Sequence, residues 1–267
     1  MKRLKSTHLL MLSVLLVVFA CKKAKNLKID ETPPPKPSAP KTYVPVKFET
    51  AGSSLILKYK DLTSLLSEIA DANGNKTVFT YTQERQPFKL EKYRNEKLFY
   101  VVYYEQSDKK TTSKARAFGY NVMGVFTPVN VYTLTNNDQQ KIKQLDYYDL
   151  DNKLTNTYSL FYSASGNLSE MNARAHPGST TMTTYTFDQQ KGISRYISHS
   201  ELFAFESEHW FFLCPGNNIL NVMNEKTPQK NISVKYEYNE NGYPSTAIIT
   251  SNDRTQNIKI TYKQLET

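Results

Sequence analysis

The segment Tyr158-Ser-Leu-Phe-Tyr-Ser-Ala-Ser-Gly-Asn-Leu168 decides the fold of this chain. Tyr158, Leu160 and Tyr162 recur with a period of two, which is typical of a β-strand with one buried face. Gly166 then supplies a residue that tolerates the positive φ of a tight turn. The segment therefore predicts a strand, a turn and the start of a second, antiparallel strand.

The same unit recurs along the chain. A turn residue follows a strand-ending Tyr by four positions in the pairs Tyr148–Asn152, Tyr162–Gly166 and Tyr238–Gly242, and 187–192 is a looser copy. Tyr, Phe, Val, Ile and Thr suit a pleated, half-buried surface. The same alternation occurs in Val78–Tyr81, Leu98–Tyr104, Tyr185–Phe187, Val234–Tyr238 and Ile258–Tyr262. We predict an all-β fold, an antiparallel meander of β-hairpins that forms a large curved or partly open barrel-like sheet.

The N-terminus is typical of an exported lipoprotein. A basic start precedes the apolar run Leu9–Ala20, which is too short to cross a bilayer and indicates a signal peptide over residues 1–20. Val18-Phe-Ala-Cys21 resembles a bacterial lipobox, so we predict lipid attachment at Cys21. The alternative is simple secretion, which Val18 disfavours because signal peptidase prefers a small residue at that position.

A tether and one domain follow the signal peptide. Residues 21–45 form a predicted lipidated, Lys- and Pro-rich tether, because six prolines between 31 and 45 favour extended polyproline II. We predict a single β-rich repeat domain over residues 46–267. Nine of the 34 basic residues but only two of the 25 acidic residues precede residue 46, which leaves the domain at +2. A nearly neutral domain argues against a nucleic-acid partner.

Three segments resemble the Tyr-Asp, or RHS-type, hairpin repeat: Tyr238-Asn-Glu-Asn-Gly-Tyr-Pro244, Tyr162-Ser-Ala-Ser-Gly-Asn-Leu168 and Ile69-Ala-Asp-Ala-Asn-Gly-Asn-Lys76. The copies are degenerate, and Tyr148-Asp149 has the full Tyr-Asp pair. With the lipobox and Gly216-Asn-Asn218, the chain is similar to uncharacterised β-rich outer-membrane lipoproteins of Bacteroidota. The resemblance implies an antiparallel meander and a cell-envelope location. It transfers no catalytic residues.

Residues 199–224 break the alternation. Their apolar positions fit neither the helical nor the strand period, and Pro215-Gly216 ends whatever precedes it. We predict one irregular connection near 199–224, with a helical turn, folded over a sheet face or an open end of the sheet.

The same region holds the densest set of potential metal ligands. Glu206, Glu208 and His209 lie close in sequence, with His199 shortly before them. Two His and a carboxylate can bind zinc, but the spacing matches no helical His-x-x-x-His arrangement. We therefore predict no metal site and no cofactor.

The sequence does not support a catalytic nucleophile either. Ser179 in His176-Pro-Gly-Ser179 lacks the Gly-x-Ser-x-Gly context that exposes a catalytic serine. Cys214 has apolar neighbours, which favour a buried, inert thiol over a reactive one. The carboxylates are scattered through turns, so no glycosidase pair is nominated and no catalytic residue is predicted.

Two function classes remain open. The first is a non-catalytic binding or scaffolding module for a polymer such as a glycan, or for an envelope protein, held to the membrane by its lipid. Its Tyr and amide side chains suit binding, although cross-strand pairing also explains the Tyr. The second is an envelope hydrolase with an unrecognised site. Lys22-Lys-Ala-Lys25 lacks the acidic run that marks surface display in the resembling group, which implies the periplasmic face of the outer membrane.

Overall fold

The strands form one closed, antiparallel barrel. The computed structural model describes residues 41–265 except 62, 108–111, 122, 208 and 253. Within this part, sixteen strands pair in chain order, and the first pairs with the last to close the sheet. The predicted antiparallel meander is confirmed, and the sheet that the sequence left curved or partly open is closed.

The element bounds follow a regular strand–turn order. The strands are β1 (Thr42–Glu49), β2 (Ser54–Tyr59), β3 (Leu66–Asp71), β4 (Lys76–Tyr81), β5 (Pro87–Arg94), β6 (Lys97–Gln106), β7 (Thr112–Tyr120), β8 (Phe126–Asn136), β9 (Ile142–Tyr148), β10 (Leu154–Tyr162), β11 (Leu168–Ala175), β12 (Thr180–Phe187), β13 (Ile219–Asn224), β14 (Ile232–Tyr238), β15 (Pro244–Ser251) and β16 (Arg254–Leu265). Helix α1 (Ser200–Glu206) and a 3₁₀ turn (Trp210–Leu213) lie between β12 and β13, and a second 3₁₀ turn (Pro228–Lys230) precedes β14.

One turn design joins many of the strands. Its first residue hydrogen-bonds through its backbone N–H to the fifth residue, and a side-chain oxygen of the first residue accepts from the fifth residue's N–H. Asn239 shows the pattern, because its Oδ1 accepts from Asn241 N at 3.0 Å and Tyr243 N at 3.1 Å. An Asn or Asp side chain is well suited to this role because it mimics a backbone turn.

The fourth residue of each such turn has a positive φ. Asn152, Gly166 and Gly242 have φ values of 59°, 81° and 76°, so the predicted spacing after the strand-ending Tyr is confirmed. Arg85 and Gln140 take φ of 62° in two further turns of this kind. Sequence inspection missed these two because neither carries glycine or asparagine at the fourth position.

The interior of the barrel is largely apolar, whereas the outer face combines charged side chains with exposed aromatic ones such as Phe88, Tyr103 and Phe161. Leu57, Leu90 and Val102 are at most 3% exposed and alternate with residues of the outer face, among them Lys58, Glu91 and Tyr103. Ion pairs cross the outer face, with Lys58 2.7 Å from Glu68. No helix in the described residues is long and apolar enough to cross a membrane.

The connection between β12 and β13 fills the barrel rather than folding over its outside. Phe211 stacks on Phe48 of β1 with ring centroids 4.5 Å apart, and Phe203 packs on Phe79 of β4 at the same separation. A sixteen-strand barrel encloses more space than its own inward side chains fill, as the channels of large porins show. Helix α1 and the 3₁₀ turn that follows it fill this space. The irregular connection covers residues 188–218 rather than the predicted 199–224.

The first strand begins earlier than the predicted domain boundary. Residues 42–45, assigned to the tether by their sequence, are part of β1, and Val44 is completely buried. Pro45 is accommodated because the pairing of β1 with β16 shifts register between Pro45 and Lys47, where a strand tolerates a missing N–H. The predicted boundary at 20/21 lies outside the described residues.

The two ends of the barrel are distinguished by their turns. The Thr42 end carries the start of β1 and the long connection 188–218. The Asn75 end carries the turns at 72–75 and 95–96, because strands alternate in direction. The chain therefore enters the barrel at the end opposite to the turn at Asn75.

Candidate binding cleft

A cleft of about 450 Å³ opens at the Asn75 end. It lies between strands β2–β6 and the residues that follow α1, so the wall and the inserted connection both contribute to it. Clefts of roughly 300–1,000 Å³ are the usual size for small-ligand sites. Its lining residues are Leu55, Ile69, Asp71, Asn75, Lys76, Thr77, Lys92, Tyr93, Arg94, Asn95, Phe99, Ser207 and His209.

Three cations dominate this cleft, and each lies over an aromatic ring. Lys76 Nζ is 4.8 Å from the centroid of Tyr93, and Arg94 Cζ is 4.7 Å from that of Phe99. Lys92 Nζ is 4.8 Å from the ring of Tyr100. A ring face attracts a cation electrostatically and limits where the charged group lies.

None of the three cations forms an ion pair within the described residues. The charge pairs of this part of the chain, such as Lys89 with Glu91 at 3.1 Å, do not include Lys76, Lys92 or Arg94. Their positive charge is therefore available to a ligand.

Asp71 is the one carboxylate among the described residues that line the cleft, and its oxygens already accept hydrogen bonds. Its oxygens accept from Asn73 N at 2.8 Å, from Asn75 N at 3.0 Å and from Asn75 Nδ2 at 2.8 Å. Although partial burial acts to raise it, these hydrogen bonds lower the pKa of Asp71. Asn75 Oδ1 in turn accepts from Asn95 N at 3.3 Å, which ties the two turns of the wall together.

Beneath the cleft lies a buried carboxylate held by tyrosines. Glu206, the last residue of α1, is 6% exposed and accepts from Tyr132 Oη at 2.5 Å and from Tyr100 Oη at 3.2 Å. Burial raises the pKa of Glu206, and the two hydroxyls and the charge of Lys92 partly offset that rise. Burial likewise raises the pKa of Tyr132. Glu206 thus interacts with Tyr132 and Tyr100 in the interior by hydrogen bonds and with Lys92 of the cleft lining electrostatically.

The three histidines after the signal peptide lie in different settings. His209 lines the cleft, with its ring stacked on Phe211 at 5.3 Å. His199 precedes α1, and its Nε2 lies 2.9 Å from the carbonyl oxygen of Arg85. Burial lowers the pKa of His199, and that contact partly opposes the effect. His176 Nε2 lies 3.1 Å from Thr157 Oγ1.

The structure does not assemble the metal-ligand set considered from the sequence. Glu208 lies outside the described residues, while Glu206 points into the tyrosine cluster and His209 lines the cleft. Within the described residues, no group of three or more His, Cys, Asp or Glu side chains is placed to share a metal ion.

The candidate nucleophiles are unsuited to attack. Cys214 is completely buried, as predicted, and burial raises the pKa of its thiol to about 12. Ser179 is exposed in the turn between β11 and β12. Cys21, the predicted lipid attachment site, lies outside the described residues.

Several tyrosines near the ends of strands have structural roles inside the barrel. Their hydroxyls donate to backbone carbonyl oxygens of a neighbouring strand, as Tyr162 Oη does to Ile142 O and Tyr236 Oη does to Ile219 O. Trp210 packs beside Tyr236, with ring centroids 6.2 Å apart. These contacts favour pairing over ligand binding as the reason for the Tyr repeat at the Thr42 end.

Gly216-Asn-Asn218 closes the inserted connection. Asp188 N donates to Asn218 O, and both Asn218 N and Asn218 Nδ2 donate to the Asp188 carboxylate at 3.0 Å. This pattern matches the Asp71–Asn75 turn, so the connection is an insertion within one copy of the repeated turn. A Cβ on Gly216 would lie 2.5 Å from Asn167 Oδ1, which explains the glycine.

The sequence did contain a signal for the cleft. Lys92 stands two positions after Leu90, so strand alternation points it into the barrel. A lysine on an inward-facing strand position is unusual and indicates a binding or pairing role. The cleft was not identified from the sequence because its three cations lie at the start of β4 and near the end of β5, at positions where exposed polar residues are common.

Comparisons with known proteins show the fold. A porin-like protein from Bacteroides uniformis aligns with a TM-score of 0.56 and 12% identity, over 85% of this chain and 99% of that one. A porin-like protein from Bacteroides vulgatus gives 0.49 and 11%, over 82% and 98%. The TcdB2-TccC3-Cdc42 structure gives 0.30 and 11%, over 78% of this chain and 11% of that one.

The sequence comparisons identify no family. No protein-family model matches the chain, and no curated protein matches it. The first structural likeness shows that a β-rich barrel of this kind occurs in Bacteroides, in agreement with the predicted fold. At such low identity the likeness is one of fold alone.

Proposed function

We propose that this protein is a lipid-anchored lipoprotein of the cell envelope whose barrel is a non-catalytic binding module for a glycan. The observation that carries the proposal is the open cleft at the Asn75 end, which combines cations, amides and aromatic rings. A few placed polar groups in a largely preformed cleft are typical of ligand sites.

The position of the chain entry fits an anchored receptor. β1 starts at the Thr42 end, and the cleft opens at the Asn75 end. A membrane anchor that reaches the barrel through the tether would be joined at the end away from the cleft. We propose Cys21 as the lipid attachment site and the periplasmic face of the outer membrane as the location.

The outer face of the barrel supports anchoring by lipid. Lys58 pairs with Glu68, and Arg116 pairs with Glu105, both at 2.7 Å on the outside of the strands. Strands that face lipid carry an apolar band, and charges there are destabilising. The outer face also carries exposed apolar side chains such as Phe88 and Phe161, but its ion pairs favour an aqueous compartment beside the membrane.

The repeated turn supports descent from Tyr-Asp-type hairpins. The Asp149 turn shows it in the copy with the full pair, since Asp149 Oδ1 accepts from Asp151 N at 3.0 Å and Lys153 N at 2.9 Å. The degenerate copies retain the geometry with Asn, Ser or Thr in place of Asp, as Asn239 and Ser163 do.

Anchoring is tested by maturation in cells. Cys21→Ala, or inhibition of lipoprotein signal peptidase, is expected to leave an uncleaved precursor, because the lipidated cysteine is the cleavage signal. Normal processing of Cys21→Ala would show that the lipid anchor is wrong. Protection of the barrel from added protease on intact cells tests the periplasmic location.

Binding is tested by calorimetric titration of the purified protein with envelope glycans and with neutral oligosaccharides. We expect saturable binding that is lost when, in the cleft, Asn95 is replaced by Trp and Phe99 by Ala. The matched control places the same changes on the outer face at Asn172 and Phe161. Absence of binding by any glycan would contradict the proposal.

The second candidate function is an envelope hydrolase, and Glu206 is the observation that favours it. A buried carboxylate with a raised pKa is a common feature of general acids. Glu206 is occupied by Tyr132 and Tyr100, however, and it does not line the cleft. Chromatographic detection of shortened glycans that disappear with Glu206→Gln would establish hydrolysis and replace the binding proposal.

A further inference from the structure

The charge of the cleft points to a narrower class of ligand. We propose that it binds an anionic saccharide, one that carries carboxylate or phosphate groups. This inference rests on the proposed function, since it names the ligand class of the same cleft. Its basis is a set of three cations that line one cleft and form no ion pair among the described residues, namely Lys76, Lys92 and Arg94.

The cations keep their hydrogen-bonding capacity for a ligand. A lysine ammonium has three N–H donors and an arginine guanidinium has five. Contact with a ring face leaves these donors able to form hydrogen bonds with a ligand. The rings of Tyr93, Tyr100 and Phe99 hold the three charged groups 4.7–4.8 Å from their centroids. The guanidinium of Arg94 can bind a carboxylate or phosphate through two parallel hydrogen bonds.

Among the described residues that line the cleft, no negative charge is free to compete for these donors. Asp71 is the lining carboxylate, and three hydrogen bonds from Asn73 and Asn75 already hold it in its turn. Glu206 acts electrostatically on Lys92 but is bound by Tyr132 and Tyr100 below the cleft. The described lining residues therefore carry a net positive charge.

The remaining lining suits sugar rather than a free anion. Tyr93 and Phe99 present aromatic surface, on which the C–H face of a pyranose can stack, and Thr77 and Asn95 provide hydroxyl and amide groups for sugar hydroxyls. A volume of about 450 Å³ is larger than an inorganic phosphate requires and matches a short saccharide.

The experiment is calorimetric titration of the full chain, purified in detergent, with three probes. These are an oligogalacturonate, mannose 6-phosphate, and a neutral malto-oligosaccharide of the same length as the oligogalacturonate. We expect at least one anionic probe to bind, with affinity that falls as salt is raised, and the neutral probe to bind at least about tenfold more weakly. The carboxylate and phosphate arms distinguish the two sources of charge.

Charge-removing variants test the residues. Lys76→Gln and Arg94→Gln are each expected to weaken binding of the anionic probe by about tenfold, the loss usual for one charged hydrogen bond. Lys235→Gln, which removes the same charge from the outside of β14, is the matched control and should bind like the wild type. Circular dichroism and thermal unfolding verify that each variant is folded.

Each outcome is decisive. Equal binding of the neutral and anionic probes, or unchanged affinity in folded Lys76→Gln and Arg94→Gln, would overturn the anionic specificity and leave the glycan-binding function standing. Failure of all three probes and of all other glycans would overturn both.

Discussion

Single residues in this barrel are explained by what their atoms would meet if changed. Gly192 is the clearest case, because a Cβ there would lie 2.1 Å from the carbonyl oxygen of Cys214. No side chain could fit without moving backbone, and the Gly192 N–H also donates to Gly216 O at 3.0 Å. The glycine is required by close approach of two backbone segments at the Thr42 end.

We predict that Gly192→Ala destabilises the protein by about 1–3 kcal/mol or more, the usual cost of overpacking a close contact. Chemical denaturation followed by circular dichroism measures the free energy of unfolding. Gly52→Ala is the matched control, since no heavy atom lies within 4 Å of its added Cβ, and it should change stability by less than about 0.5 kcal/mol. A neutral effect of Gly192→Ala would show that the connection is not held as described.

Glu206 predicts a pH dependence of stability. Its pKa in the folded protein is raised above the ordinary value of 4.5, mainly by burial. The folded state therefore holds its proton more tightly than the unfolded state, so stability falls as pH rises from about 4.5 through the folded-state pKa. The stabilisation is fully present below the unfolded pKa.

Glu206→Gln should remove this slope. Because Gln is nearly isosteric and neutral, the melting temperature of Glu206→Gln relative to wild type is expected to increase as pH rises from about 4 to 7. Thermal unfolding across that range measures the difference. Glu206→Leu is the control for the hydroxyls, and it should lose about 1–3 kcal/mol at every pH because Tyr132 and Tyr100 lose their acceptor. Parallel pH profiles for wild type and Glu206→Gln would contradict the assignment.

At the scale of elements, the inserted connection is the component that makes the barrel a filled structure. Phe203, Phe211 and Phe212 are at most 2% exposed, and they pack against wall residues from β1 and β4. The connection is also closed by the turn contacts of Asp188 and Asn218, so it is attached as one more hairpin turn. Core formation and turn formation are thus separable properties of the same segment.

Replacement of residues 191–217 by one glycine tests core formation separately from turn formation. The resulting Asp188-Gln-Gln-Gly-Asn218 copies the arrangement of Asp71-Ala-Asn-Gly-Asn75, so the turn is expected to remain possible. Loss of each buried Phe costs about 3–5 kcal/mol, and three exceed the stability of an ordinary domain. We expect loss of cooperative unfolding and binding of a hydrophobic dye, while the far-ultraviolet spectrum still shows strand.

A cooperative thermal transition with retained near-ultraviolet circular dichroism would show that the barrel does not need its inserted connection. Substitution of the exposed residues Glu225 and Lys226 in the turn before β14 is the control for general sensitivity to turn changes, and it should leave the transition cooperative.

At the scale of the whole molecule, closure of the barrel joins the two termini of the described chain. β1 pairs with β16 over seven residue pairs, from Thr42 with Leu265 to Glu49 with Lys259. Every strand consequently has two neighbours, and no edge strand is left open within the described part. Stability is expected to be shared around the ring rather than divided between halves.

Limited proteolysis tests whether the barrel is one cooperative unit. We predict that protease trims first within residues 22–40 and that no stable fragment arises from cuts near residue 130 or 175, because removing either half would leave open sheet edges and a bisected core. Mass spectrometry of the time course identifies the products. A persistent fragment ending near either position would indicate two independently stable parts.

The sequence by itself determined the strands and most of their turns. Alternation is set by the two-residue period of a strand, and positive φ at positions such as Gly166 and Gly242 is a local steric requirement, so both are visible without any neighbour. The burial of Cys214 was also foreseeable, because its apolar neighbours report its surroundings. The turns with Arg85 and Gln140 were missed because they adopt the same conformation without glycine, and the turn with Gly124 was not identified either.

Only the tertiary structure decided the closure of the sheet, the placement of the connection and the composition of the cleft. Closure depends on the pairing of β1 with β16, residues more than two hundred positions apart that no local pattern relates. Once sixteen strands close, their interior is too wide for wall side chains alone, which draws the connection inside. The cleft forms where that connection stops short of Lys76, Lys92 and Arg94, and such a meeting of distant segments is a property of the packed barrel.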